Sequence, residues 1–183
     1  MWQSWETTRR WAEAHRALVA GVTMILTAAI QPSRAAEPGP VKIAVFDFEL
    51  DDRSAAGGMI GPDAIDAENL KKATDEARQR LVASGRYLIV DSGSAAGQPT
   101  SAGGLQSCNG CEAPLGRKLG ADQSMIGIFA RVSRTEYTLQ IAVRDTQTGA
   151  ILSNAFSGLR MGANYAWPRA VTSLIDNKIL SPQ

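Results

Sequence analysis

Histidine is almost absent from this chain: the only one among 183 residues is His15, near the N-terminus. Downstream of it, the sequence therefore offers no imidazole to act as the general base of a serine hydrolase. Cysteine is nearly as scarce, with two residues in all. A zinc site built on both cysteines would still need two more ligands, and carboxylates would have to supply them. These shortages argue against the commonest hydrolytic and zinc-dependent enzymes.

Phosphate-binding signatures are missing as well. Glycines at positions 57, 58 and 61 follow an apolar segment, as they do in nucleotide-binding proteins. Their spacing matches neither the G-x-G-x-x-G pattern nor the P-loop with its Lys and Ser or Thr. We therefore predict no nucleotide cofactor, and the sequence indicates no other cofactor.

The first feature that is present is an export-type leader. Three arginines precede an uncharged run over residues 17–31, and small residues lead up to Ala35. This is the layout of a secretory signal peptide. The run is shorter than the roughly 20 apolar residues that a helix needs to cross a membrane. We therefore predict a signal peptide over residues 1–35 and a periplasmic protein made of residues 36–183, without a stable membrane span.

Removing this leader takes away four arginines and two glutamates, which leaves 15 basic and 16 acidic residues. Nucleic-acid binding needs a basic surface that releases counterions from the phosphates. The basic residues here are scattered among acidic ones, so we expect no nucleic-acid partner. The 148 residues that remain are enough for one core of ordinary size, and they predict a single domain.

Apolar periodicity divides residues 36–183 into alternating strands and helices. Their order, β-α-β-α-β-β-β-α, predicts an α/β domain with a mixed sheet, in which the last three strands form an antiparallel meander. A loop rich in Gly, Ser and Ala covers residues 92–106 and is predicted to be flexible. The predicted elements are strands 41–50, 87–91, 125–132, 137–145 and 150–159, and helices 63–84, 111–119 and 168–180.

The first predicted helix carries the clearest local signals. Asp63 is placed to cap its N-terminus, and apolar residues then recur every three or four positions. Glu68 with Lys72, and Glu76 with Arg80, have the four-residue spacing of ion pairs on an exposed helix surface.

Four segments carry a resemblance to a known family: IAVFDFEL, CNGCEAPLGRKLGADQSMIG, RDTQTGA and MGANYAWPRA. Through them the chain resembles a family of proteobacterial periplasmic proteins known as a domain of unknown function. That resemblance implies a location and no activity. The element order also resembles the amino-terminal domain of TolB and the periplasmic domain of the curli secretion lipoprotein. This second likeness implies a TolB-like fold and a role in protein contacts, although a fold does not fix a function.

Cys108 and Cys111 have C-x-x-C spacing. In the oxidising periplasm such a pair predicts a disulfide, which would fix the entry to the short helix that follows. The alternative is a redox pair, because Cys111 would stand at a helix N-terminus, where the pKa of a thiol is lowered. Glu112 occupies the position where covalent haem attachment needs histidine.

Asp47, Glu49 and Asp51 form an acidic cluster near the carboxyl end of the first predicted strand. Strand alternation places the three on one face, at the end of the sheet where open α/β sheets commonly bind ligands. A hard cation could be held there. The alternative is that these residues are solvated charges at the point where the strand leaves the core.

Tyr165, Trp167 and Arg169 precede or begin the last predicted helix. Aromatic residues and arginine dominate the energetics of protein interfaces, so the three could form a contact patch for a protein partner. The alternative is that they pack over the sheet and fix how the last helix enters.

The sequence as a whole predicts a non-catalytic periplasmic binding or assembly protein with a protein partner. The alternative is a thiol-disulfide accessory of periplasmic oxidoreductases, which would use Cys108 and Cys111.

Overall fold

The structure, a computed structural model, describes residues 39–54, 63–93, 104–133, 135–160 and 166–181. The predicted signal peptide and residues 94–103 of the predicted loop lie outside the described residues. The predicted α/β domain with a mixed sheet is confirmed. In chain order the elements are β1 (Val41–Val45), β2 (Glu49–Asp52), α1 (Ala64–Ala83), β3 (Tyr87–Val90), a 3-10 turn (Leu105–Ser107), α2 (Glu112–Lys118), β4 (Gln123–Ser133), β5 (Glu136–Asp145), β6 (Ile151–Arg160) and α3 (Ala166–Leu174), which continues as a π-helical turn (Ile175–Ile179).

One mixed sheet contains all of these strands. Its main path runs β3-β1-β4-β5-β6, and β2 pairs with β4. The pairs that β1 makes with β3 and β4, and the pair of β2 with β4, are parallel, whereas β4, β5 and β6 form the predicted antiparallel meander. Successive residues of β1 point to opposite faces. Ile43 packs with α1 and α3, and Ala44 packs with Leu115 of α2, so the helices cover both faces.

The single strand predicted over residues 41–50 is wrong, because the segment divides into β1 and β2. Val45 pairs with Met125, and Glu49 pairs with Ile128. Three residues therefore separate Val45 from Glu49, whereas only two separate their partners Met125 and Ile128 in β4. This irregularity acts as a bulge, and it reverses which residues of β2 face each side of the sheet.

Phe48 shows why the chain bends at this point. Its N–H donates to Thr74 Oγ1 of α1 at 2.9 Å instead of joining the strand ladder. Its ring lies over Gly127, where an added Cβ would come within 2.4 Å of the ring. The aromatic ring therefore occupies the space that any larger residue at position 127 would need.

The main core lies between the sheet and helices α1 and α3. The four residues of β5 that alternation places on one face are all buried against it: Tyr137, Leu139, Ile141 and Val143. The last helix contributes the four apolar residues that its periodicity predicts: Val171, Leu174, Ile175 and Ile179. Within the described ranges, no helix is long and apolar enough to span a membrane.

Helix α1 begins and ends where the sequence predicts. Asp63 is its N-cap, and the Asp66 N–H donates to Asp63 Oδ1 at 2.7 Å. The predicted ion pair between Glu68 and Lys72 forms, with a separation of 2.7 Å.

The predicted pair of Glu76 with Arg80 is wrong. Arg80 instead pairs with Asp176 of the π-helical turn, and Glu76 accepts a hydrogen bond from Thr172 Oγ1 at 2.6 Å. Because α3 packs beside α1, both charged side chains find partners across the helix interface. These contacts replace the ion pair within α1 that the four-residue spacing of Glu76 and Arg80 predicts.

Helix α2 packs very closely on the other face of the sheet. An added Cβ at Gly116 would lie 2.9 Å from Thr146 Cγ2 and 3.1 Å from Ser124 Cβ. Thr146 in turn donates to the carbonyl of Ala121 at 2.6 Å. The segment around α2 is therefore locked against the ends of β4 and β5, and among the described residues no other α-helix packs on this face.

Candidate functional site

The two cysteines close a turn that lies against β5. Cys108 and Cys111 form the predicted disulfide, with their Cα atoms 5.7 Å apart. Between them Gly110 has a φ of 99°, a conformation that favours glycine. An added Cβ at Gly110 would be 3.6 Å from Arg144 Cζ. The turn therefore depends both on the disulfide and on close contact with an arginine.

Arg144 connects this turn to the hairpin between β5 and β6. Its Nε donates to Glu112 Oε1 at 2.7 Å, one terminal nitrogen donates to Asn109 Oδ1 at 2.9 Å, and the other donates to the carbonyl of Gly149 at 3.1 Å. The Arg144 and Glu112 side chains are only 15% and 3% exposed. The CNGCE and RDTQTG segments are thus joined by one buried ion pair, which gives both of them a structural role.

We predict that replacing both cysteines with serine lowers the free energy of unfolding by about 2 kcal/mol, because the disulfide closes only a short loop. Urea denaturation of the purified oxidised protein and of the Cys108→Ser, Cys111→Ser variant measures this difference. A structural disulfide also predicts that partner binding survives the substitution. Unchanged stability together with loss of function in cells would instead favour the redox alternative.

A second buried charge network lies on the α1 side of the sheet. Arg131 of β4 donates to Asp66 Oδ2 at 2.5 Å, to Asp52 Oδ2 at 3.0 Å and to the Tyr137 hydroxyl at 3.0 Å. Its guanidinium carbon lies 5.4 Å from the centre of the Tyr137 ring. This arginine therefore ties together β2, the first turn of α1 and the meander.

The protonation of this network follows from its partners. Burial by itself lowers the pKa of Arg131, but the hydrogen bonds with Asp66 and Tyr137 outweigh burial, so that the pKa is raised. Hydrogen bonding from Ser54, followed by Arg131, holds the pKa of Asp52 below its usual range despite partial burial. Arg131 and Asp52 are therefore both held in their charged forms at neutral pH, which suits a structural tie better than proton transfer.

Trp167 is part of the core and not of a surface patch. It is 3% exposed and stacks on Phe129, with ring centroids 4.0 Å apart and planes at 12°. Its indole also meets the Tyr137 ring edge-on at 5.8 Å. Arg169 is exposed, and Tyr165 lies outside the described residues. A contact patch that uses the Trp167 side chain is therefore wrong for this fold, and the packing alternative describes that residue.

The three carboxylates of the acidic cluster point to separate partners. Asp47 pairs with Arg78 at 2.9 Å. Glu49 accepts from the N–H groups of Leu105 and Gln106, both at 2.8 Å. Asp51 pairs with its near neighbour Arg53. The bulge after β1 breaks the alternation that would have placed the cluster on one face.

No group of three or more potential metal ligands occurs in the part of the chain that the structure describes. Glu49 instead caps the 3-10 turn and holds it against β2. A cation site at Asp47, Glu49 and Asp51 stays a prediction, and the observed partners of the three side chains give it no support.

A broad crevice lies at the carboxyl ends of β1 and β3, beside α1, and has a volume of about 850 Å³. Arg78 lies within it and donates to the carbonyl of Val45 at 2.9 Å and to Ser92 Oγ at 3.2 Å. With Asp47 as a further partner, the guanidinium is already engaged by the protein. The crevice therefore sits where α/β sheets commonly bind ligands, but its central cation is used to hold two strand ends together.

A second concave surface lies on the opposite face of the sheet, and we call it the open face. It is a depression of about 500 Å³ that β2, β4, β5, β6 and the 3-10 turn line together. The residues that define it here are Asp51, Gln106, Ile128, Thr138, Gln140 and Phe156. Helix α2 covers this face near β1 and the ends of β4 and β5, and none of the described helices covers the centre of the meander.

One large apolar side chain, Phe156, is exposed at the β6 side of the open face, and two more are exposed at the start of the same strand. Phe156 is 61% exposed, and Ile151 and Leu152 at the start of β6 are 52% and 43% exposed. Exposed apolar residues are ordinary on a protein surface, but a large aromatic ring that lines a concave surface is a candidate interaction site. Sequence reasoning missed this site, although the large apolar Phe156 stands among small and polar residues in β6, and that contrast was the available signal.

The chain belongs to the DUF3280 family, described as "Protein of unknown function (DUF2380)", which matches residues 41–179. This membership confirms the coarser part of the resemblance, that the chain belongs to a family of unknown function. No curated protein matches the chain.

Solved structures with a similar fold share little sequence with this chain. The LpoB C-terminal domain from Salmonella enterica is 16% identical, with a TM-score of 0.44 over 69% of this chain and 87% of that one. Lipoprotein GNA1162 from Neisseria meningitidis is 16% identical, with a TM-score of 0.49 over 75% of this chain and 98% of that one. TolB from Acinetobacter baumannii is 16% identical, with a TM-score of 0.44 over 76% of this chain and 28% of that one. Similarity at this level assigns no activity and no partner to the present chain.

Proposed function

We propose that this protein is a non-catalytic binding or assembly protein of the periplasm, which docks a protein partner on its open face. The observation that carries the proposal is the exposure of Phe156 beside a concave sheet surface whose two charged side chains, Asp51 and Arg53, pair with each other. Burying an aromatic ring of this size is a main source of affinity in protein interfaces.

The chemistry of the open face indicates what kind of segment it receives. Its apolar floor comes from β4, chiefly Ile128, and its neutral hydrogen-bonding groups include Thr138 and Gln140. Among the described residues, two charged side chains line it, Asp51 and Arg53, and they already pair with each other. A partner segment complementary to this surface is therefore apolar and uncharged, with backbone or amide groups that bond to Thr138 and Gln140.

The periplasmic location is part of the proposal and rests on the leader over residues 1–35 and on the cysteine pair. A disulfide between Cys108 and Cys111 persists in an oxidising compartment such as the periplasm. The redox alternative, in which this pair serves periplasmic oxidoreductases, is favoured only by the partial exposure of both cysteines. For that alternative to hold, the reduction potential of the Cys108–Cys111 disulfide would have to lie near those of the periplasmic oxidants and not far below them.

Binding to an identified partner tests the proposed function. Candidate partners captured by crosslinking in periplasmic extract would be purified and titrated with the protein. We expect saturable binding that Thr138→Glu weakens at least about tenfold, because the charge enters a neutral interface. Leu88→Glu is the matched control, since Leu88 is a 52% exposed residue on β3, at the other edge of the sheet.

Two results would contradict the proposal. One is that every captured protein binds the wild type and Thr138→Glu equally well. The other is that the purified protein converts a small molecule and loses this activity through a single side-chain change. Circular dichroism of both variants shows whether their folds are intact.

A further inference from the structure

Strand β6 ends the sheet, and the described residues place no strand on its outer side. It is ten residues long, and its outer edge carries a row of backbone N–H and C=O groups that can pair with another strand. Natural edge strands are usually protected by proline, lysine or inward charges. The sequence ILSNAFSGLR contains none of these before its last residue. Apart from the register shift against β5 at Ile151–Ser153, this edge is therefore open to pairing with another strand.

We propose that β6 pairs antiparallel with β6 of a second copy of this chain, about a two-fold axis that passes beside Phe156. Directly opposed residues of two antiparallel strands point to the same face of the sheet. The two-fold axis must therefore lie between one residue and the same residue of the second copy, and not midway between two successive pairs of opposed residues. An axis at Phe156 places the two Phe156 residues opposite each other and Asn154 opposite Gly158 of the second copy. Each Phe156 then lies diagonally next to the second copy's Gly158.

Gly158 makes this arrangement complementary in shape. It is exposed, and an added Cβ there would have no heavy atom within 4 Å. A glycine on a strand leaves a bare strip of backbone, and an aromatic ring from the neighbouring strand covers such a strip well. Two copies thus cover each other's glycine with one edge of each phenylalanine ring, and the ring still lines the open face.

Charge supports a second copy as the occupant. The strand is uncharged from Ile151 to Leu159, so two copies meet without repulsion along that length. Its single charged position, Arg160, pairs with Leu152 of the second copy in this register. The two arginine positions therefore lie at opposite ends of the interface, and a strongly charged partner strand would find no complement on β6.

The dimer would also extend the proposed docking surface, and this consequence alone rests on the proposed function. A two-fold axis perpendicular to the sheet keeps both open faces on the same side. The two depressions would then be joined across the pair of Phe156 residues. One dimer would present two equal docking sites to a partner, with the gain in apparent affinity that two linked sites provide.

Sedimentation velocity of the purified protein, from micromolar to near-millimolar concentration, tests the dimer. One strand pair is a small interface, below about 1,200 Å² in total. We therefore expect a reversible equilibrium between monomer and dimer, with a Kd in the micromolar range. Gly158→Lys should weaken dimerisation at least tenfold, because it places a charge beside Phe156 of the second copy. The substitution meets no atom within the monomer. Leu88→Lys, at the β3 edge, is the control and should dimerise like the wild type.

Crosslinking tests the register. In the double variant Asn154→Cys, Gly158→Cys, the two positions within one strand are about 13 Å apart, too far for an internal disulfide. The proposed register predicts a covalent dimer on mild oxidation. A monomer at every concentration would overturn the proposal, as would equal dimerisation of Gly158→Lys and wild type. If the wild type stays monomeric and Gly158→Lys instead blocks binding of a different protein, β6 receives that protein, and the dimer proposal fails while the proposed function stands.

Discussion

Replacing Trp167 with alanine is expected to lower the free energy of unfolding by about 3–5 kcal/mol, the usual cost of removing a buried tryptophan. The indole is 3% exposed and lies between the rings of Phe129 and Tyr137. Its removal would leave a cavity where the start of α3 meets the meander. Urea denaturation of the variant, compared with wild type at the same pH, measures the loss.

Trp167→Phe is the matched control for that measurement. It keeps an aromatic ring against Phe129, so the loss should fall to less than half of that of the alanine variant. A Trp167→Ala protein as stable as the wild type would contradict the position of this residue in the core. Weaker partner binding by the alanine variant could arise from damage to the fold, so that variant does not report on the docking surface.

Replacing Arg144 with methionine is expected to cost a similar amount, about 3–5 kcal/mol, because it leaves the buried Glu112 carboxylate without its cation. The same substitution removes the hydrogen bonds to Asn109 and to the Gly149 carbonyl. We expect the turn that carries the disulfide to loosen, which amide hydrogen exchange over residues 108–119 would detect. The stability itself is again measured by urea denaturation.

A double substitution separates the ion pair from simple loss of packing. Glu112→Leu combined with Arg144→Met replaces both charges with apolar groups, which is often close to neutral for a buried pair. The double variant should therefore be more stable than Arg144→Met alone. If the two losses simply add, Arg144 and Glu112 do not act as a pair, and the structural role assigned to the CNGCE and RDTQTG segments would be wrong.

Local signals were enough to predict most of the fold. The helix cap at Asp63, the four apolar residues of the last helix and the alternation from Tyr137 to Val143 each specify one element, and each is confirmed. The division of the first strand was not predictable, because it arises from contacts of Phe48 with Thr74 and Gly127 that are distant in the sequence. The pairing of Arg80 with Asp176 was missed for the same reason.

The candidate site was less accessible to sequence reasoning than the fold. Trp167 has the composition of an interface anchor, and only its position beside Phe129 shows that it belongs to the core. Phe156 differs from the small and polar residues around it in β6, but the sequence does not show its exposure, which depends on how far the short α2 reaches over the meander. Residue type therefore indicated the wrong aromatic residue, because burial is decided by which helices reach which part of the sheet.

Photocrosslinking in cells that natively make the protein tests the central claim most directly. A photoreactive amino acid would be placed at Thr138 on the open face and, as a control, at Leu88 on the other edge of the sheet. The open-face account predicts one defined protein crosslinked through position 138 and absent from position 88. Crosslinks from position 88 alone, or none from position 138 in a folded and exported protein, would contradict it.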